Sequence, residues 1–218
     1  MMARPHRLAA ALLLGSLVAP AFNPAARAAT SAEPDWPCVQ RLVPALSASA
    51  VWSGPPLPQD GRWQEVPEVA ALVASITPTV VPEAKGLRAI QDFVAPLDAE
   101  ARRKLLPLAV SGALVETNRA RSQTIERIKL FARRQHGLAE TVQRLTEQLD
   151  ALDTSAVAPG TSQAASDTQA ELQQRVFFAT KTFQDAERTV RYMCEVPVRL
   201  EGRFGAYARA LQAALPPP

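Results

Sequence analysis

Residues 128–152, IKLFARRQHGLAETVQRLTEQLDAL, decide the fold. Ile128, Phe131, Gln135, Leu138, Val142, Leu145, Leu149 and Leu152 alternate steps of three and four, the a/d seam of a heptad repeat. Read backwards, the seam takes in Val110, Ala113 or Leu114, Thr117, Arg121 and Thr124, so a helix is expected from about Asp98 to Asp153. At 1.5 Å per residue that is a rod of roughly 80 Å. A rod with one apolar stripe needs a partner to cover it.

The same chain offers one. In residues 172–193, LQQRVFFATKTFQDAERTVRYM, the positions Leu172, Val176, Ala179, Phe183, Ala186, Val190 and Met193 repeat the same spacing. Asp153 to Asp167 is rich in Ser, Thr and Ala around Pro159-Gly160, a loop composition. Thr168 with Glu171 forms a capping-box pattern, which predicts a helix start there. Two such stripes joined by a loop fold most simply as an antiparallel helical hairpin, residues 98–194. Val176 then lies near Val142, and Val190 near Ile128. The fold class is all-α, a coiled-coil-like hairpin carrying a helical bundle over residues 66–215.

Outside the hairpin the elements are shorter. Val69, Leu72, Val73 and Ile76 mark one helix that Pro78 stops, and Leu87, Ile90 and Phe93 or Val94 mark another over Glu83 to Val94. Asp98 is placed as the N-cap of the long helix, with Glu100 in its first turn. Pro107 is expected to kink that helix or delay its regular part. Pro197 is expected to end the second arm of the hairpin, leaving a separate helix over Val198 to Leu215 with Leu200, Phe204, Tyr207, Leu211 and Leu215 on its apolar face. Gly202 and Gly205 weaken it by ~1 kcal/mol each relative to Ala, which suits close backbone packing. The tail 216–218 is three prolines and is expected to be disordered.

Residues 29–65 read differently. They hold Pro34, Pro37, Pro44, Pro55, Pro56 and Pro58 and all three tryptophans, Trp36, Trp52 and Trp63. Such a stretch favours an extended, irregular arm. Its indoles either pack on the helical body or form a partner-binding surface.

The first 28 residues match a cleavable signal peptide. Arg4, His6 and Arg7 precede an apolar run from Leu8 to Phe22, and Ala26-Arg27-Ala28 supplies the small residues for cleavage after Ala28. An uncleaved anchor is disfavoured, because a span needs about 20 apolar residues and Pro20 interrupts this shorter run. Neither Tat export nor lipoprotein anchoring is favoured. Cleavage removes Arg4, Arg7 and Arg27 and no acidic residue, so the formal charge of +3 falls to zero. The basic balance of the precursor therefore argues neither for nucleic acid nor for a membrane surface. The expected location is periplasmic or secreted. There, Cys38 and Cys194 are expected to form a disulfide.

The chemical inventory is thin. His136 is the one histidine left after cleavage, which excludes a multi-histidine metal site. No Cys-x-x-Cys, phosphate-binding glycine loop or nucleophile elbow occurs. Asp185 with Glu187 and Asp150 with Asp153 read as solvated helix faces. No catalytic residue, metal or cofactor is assigned. One charge feature stands out, the basic run Arg119, Arg121, Arg127, Lys129, Arg133 and Arg134, opposed within its span by Glu126. Arg121 falls on the seam, where a buried charge costs several kcal/mol unless paired; Asp185 and Glu187 are its expected partners. The candidate partner-binding residues are Trp36, Trp52, Trp63, Arg119, Arg127, Lys129, Arg133 and Arg134. The leading expectation is a non-catalytic interaction protein, an adaptor, chaperone or assembly factor whose partner is another envelope protein. A small-ligand-binding or sensing bundle, with a pocket between the short helices and the hairpin base, is the alternative. An enzyme without a recognisable motif comes third.

Overall fold

In a computed structural model of the chain, the described residues are Glu33, 35–59, 61–155 and 163–217. The signal-peptide expectation and residues 156–162 of the expected loop fall outside them; the rest of that loop, 153–155 and 163–167, is helical, because the two long helices run further than the loop composition suggests. Among the described residues the fold is all helical, with four α-helices and no strand. These are α1 (Pro67–Ile76), α2 (Glu83–Val94), α3 (Ala99–Ser155) and α4 (Gln163–Ala213).

The heptad stripe governs the hairpin. Every position of the α3 seam from Ile128 to Leu152 is buried or half-buried, and so is every position of the α4 seam from Leu172 to Met193. Arg121 reaches the carbonyl of Pro197 across the seam. That contact lies one heptad back along α3 and one heptad on along α4 from the expected pairing of Ile128 with Val190, so it follows the same register. Near the other end, Gln169 donates to Asp153. Asp98 caps α3, its Oδ1 accepting the Ala101 amide at 2.8 Å.

Three expectations about helix ends are corrected. Pro197 does not stop α4, which runs through it to Ala213. The physical reason is phase: Pro197, Leu200, Phe204, Tyr207 and Leu211 continue the four-three spacing of Met193, and all five are buried. A proline costs a helix ~3 kcal/mol, less than the loss of that run of core side chains. Pro107 likewise lies inside α3, which begins at Ala99, so the proline does not delay the helix. Leu105, Leu106, Leu108, Ala109 and Val110 are buried around it and hold the turn. Thr168 is not a cap, because α4 begins at Gln163 and the Thr168 hydroxyl donates back to the Ala164 carbonyl at 2.9 Å.

The core lies where α1, α2 and the arm pack on the N-terminal half of α3 and the C-terminal half of α4. Val69, Val73, Ile76, Ile90, Leu106, Val110, Tyr207 and Leu211 are its most deeply buried side chains. Apart from two 3-10 turns, Ala48–Ala50 and Arg62–Glu65, the described residues of the arm are irregular. Trp52 and Trp63 belong to this core. Close backbone approach occurs at Gly86 and Gly112 rather than at Gly202. A Cβ on Gly86 would lie 2.0 Å from the Tyr207 hydroxyl, and one on Gly112 would lie 2.8 Å from the Trp63 ring, whereas one on Gly202 would meet nothing within 4 Å.

Candidate functional site

The arm is fastened to the hairpin around the middle of the seam. Cys38 and Cys194 form a disulfide with Cα atoms 5.6 Å apart. Beside it the Gln40 side chain donates to the Cys194 carbonyl at 2.5 Å, one turn before Pro197. This stretch of α4 also receives hydrogen bonds from outside the helix. Arg121 supplies the next. Its Nη1 donates to the Pro197 carbonyl at 2.6 Å and its Nη2 to the Val43 carbonyl at 2.8 Å, tying α3, α4 and the arm together.

Arg121 is 3% exposed. Burial pushes its guanidinium below the usual arginine value, and Glu201, 3.8 Å away, opposes that shift. The expected partners Asp185 and Glu187 are not used. Asp185 instead pairs with Arg188 and Lys181 on its own helix, and the Arg188 hydrogen bond holds its carboxyl below the usual range. In the observed register Arg121 faces Pro197, well over two turns from Asp185, so neither carboxylate is within reach.

The basic run is largely engaged. Lys129 pairs with Glu33 at 2.5 Å and with Glu126 at 3.5 Å, Arg133 with Asp35 at 2.7 Å, and Arg119 with Glu116 at 3.6 Å. The Glu33 hydrogen bond raises the Lys129 ammonium above its ordinary value. Two of these pairs bind the arm, which sequence spacing alone could not show. Arg127 and Arg134 are exposed, with no ion pair among the described residues.

The tryptophans divide. Trp36 is half-buried and donates its indole N–H to the Gln40 carbonyl at 2.7 Å. Trp52 and Trp63 are buried, and Trp52 donates to the Pro55 carbonyl at 2.8 Å. Trp52 and Trp63 are thus packed on the helical body. His136 is exposed on the hairpin.

Two further features remain, a cleft in the place where the alternative reading expected a pocket and an aromatic pair that the sequence reading did not single out. The first is a cleft of about 690 Å³ at the hairpin base, between the α1–α2 turn, α3 and α4. Arg127, Arg199 and Arg203 line it together with Val81, Met193 and Leu200. Arg203 is 8% exposed and donates to the carbonyls of Thr77, Pro78 and Val81 at 2.7–3.1 Å, where α1 ends. The second is on α4. Phe177 and Phe178 are 63% and 57% exposed, their rings 5.6 Å apart and edge to face. They occupy heptad positions b and c, off the seam, and Tyr192 lies exposed on the same face two heptads on. Large aromatics displaced from an otherwise regular stripe are a signal that the sequence did contain.

Among the described residues no helix is long and apolar enough to cross a membrane, and no group of His, Cys, Asp and Glu is placed to hold a metal ion. The chain matches no protein-family model, and neither the curated proteins nor the solved structures yield a match.

Proposed function

We propose that the protein is exported, is cleaved after Ala28 into the periplasm or the medium, and acts there as a non-catalytic interaction protein, an adaptor, chaperone or assembly factor for another envelope protein. The disulfide supports the compartment, since such bonds persist where the surroundings are oxidising. The observation that carries the activity is the exposed Phe177–Phe178 pair on a two-helix arm. Aromatic side chains of this size contribute most to affinity when they fill a partner's pocket, and left in water their apolar area contributes nothing to stability. A regular helical arm presents them with little conformational entropy to lose. Among the described residues no hydrogen bond joins a hydroxyl to a carboxylate or imidazole that could act as its base, so binding rather than turnover is the better reading.

The test is site-specific photo-crosslinking in the native host, with a benzophenone side chain in place of Phe178 and, as control, in place of Gln174. Position 178 is expected to give a discrete adduct that position 174 does not. The adduct should disappear when Phe177→Asp is added, while helicity and the disulfide remain. The same adducts at both positions, or none at 178, would remove the aromatic face from this reading.

A further inference from the structure

We infer that the cleft at the hairpin base binds a small amphipathic anion, an acid group on an apolar body. This is separate from the aromatic face of α4. The cleft, about 690 Å³ in volume, has the size of a ligand site. Its charge is one-sided: Arg127, Arg199 and Arg203 line it against Glu83 alone. Arg199 is paired with Glu195 at 3.0 Å. Arg127 is exposed and has no ion pair among the described residues. Arg203 is the unusual member. It is more than nine-tenths buried, yet no carboxylate of the described residues lies within ion-pair distance of it. Three of its five N–H groups go to the carbonyls of Thr77, Pro78 and Val81, which leaves two with no acceptor from the described chain. A buried cation held by neutral carbonyls alone retains its demand for a counter-charge. The cleft is the side from which one can come, and the planar guanidinium matches a carboxylate or phosphate.

Beside the arginines, Glu83 and two threonines, Thr79 and Thr124, the lining carries an apolar group of Val81, Met193, Val196 and Leu200. An inorganic anion would leave these side chains wet. An alkyl or aryl body attached to the acid would cover them. Gly202 forms part of the wall and faces open space, since a Cβ there meets nothing within 4 Å.

Decanoate is the probe, titrated calorimetrically into the mature, disulfide-bonded protein. Saturable binding with one ligand per chain is expected, together with a decanoate-dependent rise in Tm. Acetate, which lacks the body, and decanol, which lacks the charge, should each bind at least ~10-fold more weakly. Arg127→Ala should weaken decanoate by about 10-fold, the scale of one charged hydrogen bond. Gly202→Leu projects a side chain into the cleft from a position where the added Cβ meets nothing within 4 Å and leucine is the better helix former. It should retain or raise the ligand-free Tm and abolish binding. Arg203→Lys keeps the charge but loses the fork, and should weaken binding while the fold persists. Vesicles of phosphatidylglycerol distinguish the source of the anion: displacement of decanoate by vesicles assigns the site to lipid, and undisturbed binding assigns it to a free acid. Absence of decanoate binding, decanol binding as tight as decanoate, or binding unchanged in both Arg127→Ala and Gly202→Leu would overturn the proposal.

Discussion

The packed end of the molecule and the outer part of the hairpin are built from the same two helices, yet they are held in different ways. Around Leu106, Val110, Phe204 and Tyr207, the helices α3 and α4 are covered on further sides by α1, α2 and the arm, and side chains there are fully buried. Beyond Ala132 on α3 no described side chain is buried, and on α4 before Ala186 only Leu172 is. A two-helix pair has one seam and no third element to close it, so its apolar residues stay half-wet. Stability is therefore expected to be concentrated at the packed end, with the hairpin's outer turns opening at lower free energy.

The sharpest test of that contrast is truncation on either side of it. Trp63→Ala should cost about 3–5 kcal/mol, as large-to-small changes in a dense core do, whereas Leu145→Ala on the half-buried seam should cost under about half as much. Chemical denaturation of both variants checks this, and equal losses would erase the distinction. Next in size is the disulfide. Reduction should raise the mass by two hydrogens and lower stability by about 2–5 kcal/mol, with hydrogen exchange rising first in the arm residues 35–46 and around Cys194. Gly86→Ala should cost about 1–3 kcal/mol through overpacking against Tyr207, read as a drop in Tm. Tyr207→Phe should go the other way. Its hydroxyl is buried with no hydrogen-bond partner, and burial pushes the phenol up while Arg203 opposes. Removing the oxygen should be neutral or stabilise by up to about 1 kcal/mol.

The smallest effect belongs to the fastening of the arm by charge. Lys129→Ala should cost under about 1 kcal/mol and less in high salt. Because the folded-state value of Lys129 is raised, its contribution is complete below the unfolded value of about 10.4 and is lost as pH rises through the folded one. The difference in Tm between wild type and Lys129→Ala should accordingly shrink at alkaline pH.

Much of the architecture was legible in periodicity. The a/d stripes predicted which faces of α3 and α4 meet, and the short amphipathic runs predicted α1 and α2. Local signals failed where burial outweighed them: Pro197 reads as a stop and Thr168 as a cap, but each lies inside a helix whose phase or propensity continues past it. The tryptophans were ambiguous because an arm without periodicity carries no information about what it lies against. The basic run was visible, but its partners Glu33 and Asp35 come from far away in sequence and needed the fold. Arg203 gave no signal at all, since nothing local distinguishes an arginine that reaches back to the end of α1 from a solvated one.

The disulfide also fixes an order of events. With two cysteines in the chain there is one intramolecular pairing, so oxidative folding has a single correct product and nothing to reshuffle. The partners are 156 residues apart, however, and Cys194 is made long after Cys38. Throughout that interval Cys38 is an unpaired thiol, open to capture by whatever oxidant or foreign disulfide it meets first. The arm is thus the first part of the domain to be synthesised and among the last to be locked.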